Sequence, residues 1–130
     1  MYLLDTNTLI YFFKGIGKVA DILFTKSPKD IFIPSIVLYE LEVGIAKSTK
    51  PQKRRQQLDS LSSRVNISSF GAAQAETAAG IRAELEKKGM PIGPYDTLIA
   101  GTAMSINATM VTHNRKEFER VRGLTIEDWY

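Results

Sequence analysis

Asp5, Glu40, Glu42 and Asp96 are the side chains whose type and position are best suited to chemistry. Asp5 closes the apolar run Tyr2, Leu3, Leu4, where a first strand should meet its helix. Asp96 follows the loop Pro91, Ile92, Gly93, Pro94 and lies in the first turn of an otherwise uncharged helix. Glu40 and Glu42 interrupt a helix, Ser35 to Ala46, that is apolar nearly all round and therefore expected to be buried. A buried carboxylate needs a partner, and with no cation in that helix before Lys47 a shared metal ion is a ready one. Helical spacing does not choose between the two glutamates: Glu40 neighbours Ile36, Val37, Val43 and Gly44, and Glu42 neighbours Leu38, Tyr39, Ile45 and Ala46. Oxygen-only ligation by Asp5, Asp96 and one glutamate suits Mg²⁺ or Mn²⁺, with water and a substrate phosphate completing the shell. Such an ion lowers the pKa of bound water and clamps the oxygens of an in-line displacement. Each acid also has a structural reading. Asp5, Thr6 or Asn7 can cap a helix, and an acid such as Asp96 in a first turn is favoured by the helix dipole by roughly 0.3–1 kcal/mol.

The composition narrows the chemistry further. There is no cysteine, which excludes disulfides, thiolate zinc sites and a cysteine nucleophile and points to a reducing compartment, the cytoplasm. The single histidine, His113, excludes paired-histidine cleavage of nucleic acid. Seventeen Lys and Arg against fourteen Asp and Glu leave a net charge of +3, a mild bias toward a polyanionic partner. Met1 to Ile10 has no basic leader and carries Asp5, so neither export nor a membrane span is expected.

These residues must be positioned by alternating elements. Strands are expected at Tyr2 to Leu4, Ile31 to Ile33, Val65 to Ile67, Thr109 to Thr112 and Leu124 to Ile126. Helices are expected from Asp5, Thr6 and Asn7 through Phe13, over Val19 to Phe24, from a Ser35 cap to Lys47, and over Pro51 to Ser62 with Lys53, Arg54, Arg55 and Asp59 exposed. Further helices follow at Ala72 to Lys88, Tyr95 to Ile106 and Lys116 to Arg120. This alternation over 130 residues predicts one domain, a three-layer α/β/α sandwich with a mostly parallel central sheet. Ligands of such sheets bind beyond the carboxyl ends of the strands, which brings in Thr112 to Asn114 beside Asp5.

Five segments in order resemble PIN-domain ribonucleases, and more closely the VapC-type toxins of bacterial toxin–antitoxin pairs. They are Leu3-Leu4-Asp5-Thr6-Asn7; Ser35 to Leu41 with Gly44; Pro91 to Asp96 running into Leu98 to Gly101; Thr112-His113-Asn114 with Glu117-Phe118; and Gly123-Leu124 with Glu127-Asp128-Trp129. The resemblance spans essentially the whole chain, 1–130, as a single PIN-like domain. It implies Asp5 and Asp96 as the principal metal-binding aspartates and Glu40, rather than Glu42, as the helix acid. Where many relatives carry another acid after the fourth strand, this chain has Asn114, with Glu117 one helical turn on as a stand-in. Thr6 and Thr112 match hydroxyls that order the carboxylates or bound water.

The proline-rich loop and the aspartate–tryptophan tail are most similar to tRNA(fMet)-specific endonucleases, which implies Mg²⁺-dependent hydrolysis in the anticodon loop of initiator tRNA, leaving 5′ phosphate and 3′ hydroxyl ends. The implied partners are a VapB-type antitoxin, a second toxin copy, and operator DNA held through the antitoxin. Lys47, Lys50, Lys53, Arg54, Arg55, Lys87, Lys88, Arg115, Lys116 and Arg120 are candidates for gripping tRNA phosphates. Tyr11, Phe12, Phe13, Leu23 and Phe24 are core or a partner groove. Two other protein classes share parts of this pattern. A phosphoacceptor receiver domain would need an acid pair after the first strand and an aspartate after a central one, and this chain has neither. A catalytically silent PIN module that binds RNA or protein is favoured only by Asn114.

Overall fold

The computed structural model describes all residues from Met1 to Tyr130. Its strands are β1 (Tyr2–Leu4), β2 (Ile31–Pro34), β3 (Asn66–Ser68), β4 (Thr109–Val111) and β5 (Ile126–Glu127). The helices are α1 (Thr6–Lys14), α2 (Val19–Leu23), α3 (Ser35–Lys47), α4 (Pro51–Ser62), α5 (Ala72–Lys87), α6 (Pro94–Ser105) and α7 (Arg115–Phe118), with a 3-10 turn at Pro28–Asp30. The strands form one sheet in the order β3-β2-β1-β4-β5, and every pairing is parallel rather than merely most of them.

Strands this short cannot stand alone, so burial on both faces supplies their stability. Leu3, Leu4, Ile31, Ile33, Met110 and Val111 are fully buried, which is why the sheet reads as continuous apolar runs instead of alternation. The chain steps from β1 to β2 to β3 in one direction and then crosses back to β4 and β5. Right-handed crossovers therefore carry α1 to α4 over one face and α5 to α7 over the other. The helix contacts agree: α1 meets α2 and α3, α3 meets α4, and α5 packs most extensively on α6. The direction of winding reverses between β1 and β4, which share the register Leu3 to Met110 and Leu4 to Val111. The crevice beyond their carboxyl ends is where an open α/β sheet binds ligands.

Several local expectations change. Ser35 is not a helix cap: Pro34 is the last extended residue, so Ser35 is already helical and its hydroxyl makes no capping bond. Helix α3 is only half-buried, with Val37 and Leu41 in the core while Tyr39, Gly44 and Ala46 face outward. On α4, Lys53 and Asp59 are exposed as expected, but Arg54 and Arg55 are half-buried because their guanidinium groups fold back onto Gln57 and Glu42. The last strand begins two residues later than expected, at Ile126, since the turn ending in Gly123 (φ +85°) delays the chain's return to the sheet.

The α5–α6 contact depends on one missing side chain. A Cβ built on Gly101 would lie 2.6 Å from the Ala78 Cβ and 2.8 Å from its Cα. Gly101→Ala is expected to lower stability by about 1–3 kcal/mol through overpacking, since backbone and not a flexible side chain stands in the way. For a chain of this size that is a fall in Tm of roughly 3–12 °C, measurable by thermal denaturation.

Candidate functional site

Four carboxylates stand around the crevice at the ends of β1 and β4. Asp5 leaves β1 and is nearly fully buried. Its backbone N–H donates to Val111 O (3.2 Å), tying it to β4. Its Oδ1 accepts the Thr8 N–H (2.9 Å), so Asp5 is the N-cap of α1, and capping and site placement hold together. Burial pushes the Asp5 carboxyl above its usual range, against the stabilising pull of Thr112 and Thr8.

Glu40 reaches the same crevice from α3. Its Oε1 accepts the Thr6 hydroxyl at 2.7 Å, across 34 residues of sequence. Glu42 takes a different partner: both of its oxygens accept from the Arg55 guanidinium of α4, and that pairing holds its carboxyl below the usual range. The cation missing from α3 in the sequence thus arrives from the next helix. The two glutamates are separated by tertiary contact, not by periodicity.

Asp96 is set by the proline loop. Pro94 opens α6 at its first position, where a missing N–H costs nothing. Thr97 locks the boundary by donating both its backbone N–H and its hydroxyl to Gly93 O, each at 3.0 Å, and Arg120 holds Pro91 O at 3.0 Å. Half-buried, Asp96 has its carboxyl pushed up to about 6, first by desolvation and then by the charge of Glu117, followed by Asp5 and Glu40. Glu117, Asp5 and Glu40 are thus its charged neighbours, and none of the four acids forms an ion pair with a Lys or Arg. Glu117, on α7, is in turn held through Oε2 by the Asn114 amide at 2.7 Å. Thr112, fully buried, accepts the Asn114 N–H on its hydroxyl (3.0 Å) and so shapes the turn out of β4.

The structure therefore brings together Asp5, Glu40, Asp96 and Glu117, with Thr6, Thr112 and Asn114 bonded to them or to the turn that carries them. No three of these acids close on a single point at ion-ligating distance; they line the crevice rather than wall in an ion. The donor set is all oxygen and bears uncompensated negative charge, which fits a hard divalent cation that keeps several of its own waters.

Asp128, which the sequence marks only as part of the aspartate–tryptophan tail, also belongs to this region. Asp128 follows β5 as Asp5 follows β1, and its charge is felt at Asp5. The rule that flagged Asp5, a polar residue just after a strand, would also have found it. Its Oδ2 lies 2.9 Å from His113 Nδ1, and Oδ1 accepts the Tyr130 N–H. Although burial works against it, these bonds hold the Asp128 carboxyl below its usual range. His113 also stacks on the Tyr130 ring at 4.1 Å.

The PIN-domain pattern matches residues 2–124. The chain belongs to the PIN-domain family. Within it the chain is similar to VapC proteins. This PIN domain is 39% identical over 128 residues to the tRNA(fMet)-specific endonuclease VapC of Salmonella typhimurium, covering 98% of this chain and 97% of that one. It is 40% identical to the ribonuclease VapC2 of Rickettsia felis, covering 99% and 98%. The VapBC2 complex of Rickettsia felis, crystallised with a DNA fragment from its promoter, superposes with a TM-score of 0.92 at 40% identity over 99% of this PIN domain and 98% of that chain. The PIN architecture expected from the sequence is thus the one observed. No helix of the chain is long and apolar enough to cross a membrane.

Proposed function

We propose that residues 1–130 act as one nuclease domain, the toxin of a toxin–antitoxin pair, which cuts initiator tRNA in its anticodon loop in a reaction dependent on Mg²⁺ or Mn²⁺. The observation that carries this is the gathering of Asp5, Glu40, Asp96 and Glu117 at the winding reversal of the sheet with no cation among them. Acids packed this way repel one another, and a divalent ion relieves that repulsion.

Asp5, Asp96 and Glu40 would hold the ion, with Asn114 and Glu117 at the rim. A bound divalent ion would offset the charge on a phosphodiester and make a water nucleophilic near neutral pH, and the hydrolysis is expected to leave 5′ phosphate and 3′ hydroxyl ends. The chain's own groups orient the acids: the Thr6 hydroxyl fixes Glu40 Oε1, the Asn114 amide fixes Glu117 Oε2, and the Thr8 N–H fixes Asp5 Oδ1. An anticodon loop suits the site because its unpaired, splayed nucleotides let a backbone phosphate reach into a crevice. Asn114, the residue that most favoured a silent module, is here engaged in positioning an acid.

A VapB-type antitoxin is the partner this reading requires, with promoter DNA contacted through it and a second toxin copy completing the assembly. The Rickettsia felis relative crystallised with both its antitoxin and DNA supports that view. A groove of about 640 Å³ lined by Phe12, Phe13, Leu23 and Phe24 together with Lys26, Lys53 and Arg64 offers a mixed apolar and basic seat, with Phe24 76% exposed. A tRNA substrate places the protein in the cytoplasm.

The test is incubation of antitoxin-free protein with a total tRNA pool, in Mg²⁺ or EDTA, with the new 5′ ends mapped. Cuts confined to the initiator anticodon loop, absent in EDTA and with Asp5→Ala, are expected. No cleavage by folded protein under any metal would leave the silent module as the better account. The same assay separates the glutamates: Glu40→Gln is expected to lose roughly 10- to 100-fold or more, while Glu42→Gln, whose partner is Arg55, keeps activity within about twofold.

A further inference from the structure

Two tyrosines border the acids for no reason that folding supplies. Tyr39 immediately precedes Glu40 on α3, and Tyr95 immediately precedes Asp96 on α6. Their rings meet edge to face with centroids 5.9 Å apart. Tyr39 is 52% and Tyr95 45% exposed. Neither joins the hydrophobic core or the partly buried residues packed against it, in contrast to Tyr2 and Tyr11.

An exposed aromatic pair costs hydration and rotamer freedom and returns little to a core it does not touch, so its use is sought outside the fold. Consecutive side chains of a helix point in different directions, so each ring stands on the helix face beside a carboxylate of the site and not over it. The acids themselves repel a phosphate, and Lys14 and Arg54 share the cavity beside Glu40, so a contact next to the acids that does not depend on charge would add to what those cations supply. Flat rings bind unpaired bases without depending on charge, because every base has a π-face.

Building on the ribonuclease reading, we propose that Tyr39 and Tyr95 form a stacking platform for one unpaired RNA base beside the phosphate that is cut. The platform makes single-strandedness a requirement at the site: a paired base has no free face to offer. It also assigns the two residues to substrate binding and not to the chemical step.

The experiment measures binding and turnover separately in the full chain. In an Asp5→Asn background, which stops cleavage, the dissociation constant is determined for the initiator anticodon stem-loop, for a short random-sequence single strand, and for stem-loops with one loop nucleotide made abasic in turn. Tyr39→Ala and Tyr95→Ala are expected to weaken RNA binding by about 5- to 100-fold, the range for losing one base–aromatic stack. Tyr39→Phe and Tyr95→Phe, which keep the ring, stay within about twofold. At one abasic position the tyrosine substitutions cost nothing further, since the stacked base is already gone. In the otherwise wild-type chain KM rises and kcat at saturating RNA changes little.

Four outcomes overturn the platform: unchanged binding by folded alanine variants, losses that are equal at every abasic position, a change in sedimenting mass that makes the pair a contact between copies, or no RNA binding by the parent chain. The two readings fail separately. Cleavage with KM unchanged in both alanine variants removes the platform and leaves the nuclease. Tyrosine-dependent RNA binding without cleavage under any metal removes the nuclease and leaves the platform.

Discussion

Asp5→Asn is expected to abolish RNA cleavage while leaving the fold at least as stable as the parent. The substitution separates two roles that share one side chain. Asn is as good an N-cap as Asp and keeps an oxygen for the Thr8 N–H, so α1 retains its start. It removes a buried charge that desolvation already disfavours. What is lost is the negative charge that we propose holds the ion at the winding reversal of the sheet. A metal supplies several kcal/mol to such a reaction, and at 1.36 kcal/mol per decade the loss of a principal ligand corresponds to roughly 10²–10⁴ in kcat/KM. Asp5→Ala loses the same activity but also the cap, about 1 kcal/mol of stability. Thermal denaturation of the three proteins beside the cleavage assay decides it. An active Asp5→Asn variant would remove Asp5 from the chemistry and leave it only its cap.

Asp96→Asn is expected to stabilise the metal-free protein at neutral pH and to do nothing for it in acid. The Asp96 carboxyl is raised from 3.8 to about 6 in the folded state, so above pH 6 folding holds a charge it disfavours. Between about pH 6 and pH 4 the folded chain takes up a proton that the unfolded chain does not, and stability from this group rises as the pH falls. A shift of that size is worth at most about 3 kcal/mol, and solvent screening at a half-buried group reduces it to about 1–2 kcal/mol. In EDTA at pH 7.5 the variant should therefore melt roughly 3–8 °C above the parent, and the gap should close by about pH 4. Mg²⁺ should raise the parent's Tm and leave the variant's nearly unchanged, because only the parent keeps the full charge that the ion relieves. Equal melting of the two proteins at pH 7.5 in EDTA would show that the acids do not press on Asp96. Cleavage is expected to fall with Asp96→Asn by an amount similar to Asp5→Asn, the outcome for a residue that trades stability for function.

The stabilising effect of these substitutions and the harm they do to activity share one origin. A fold free to minimise its energy would not place four acids around one crevice. The surrounding structure imposes the arrangement through Thr6, Thr8 and Asn114, each of which donates to one acid.

Much of this was legible along the chain. Apolar runs ending in Asp5 and in Thr112 mark strand ends, Pro51 and Pro94 mark helix starts, and Gly89 marks a helix end, because these signals act within one or two turns of the backbone. Asp5 and Asp96 stand out for the same reason: each lies at the junction of two elements. The resemblance of five segments to PIN-domain ribonucleases then pointed to Glu40. What no local signal contains is which distant residue faces which. Arg55 claims Glu42, and Thr6 claims Glu40, across 13 and 34 positions of chain. Glu117 comes to face Asp96 only because α7 follows β4, the strand paired with β1 beside Asp5. Tyr39 and Tyr95, indistinguishable in sequence from core aromatics, are left outside by the way α3 and α6 meet. Periodicity and capping are decided by neighbours in the chain, whereas partners are decided by the strand order, and the order β3-β2-β1-β4-β5 exists only once all the crossovers have packed.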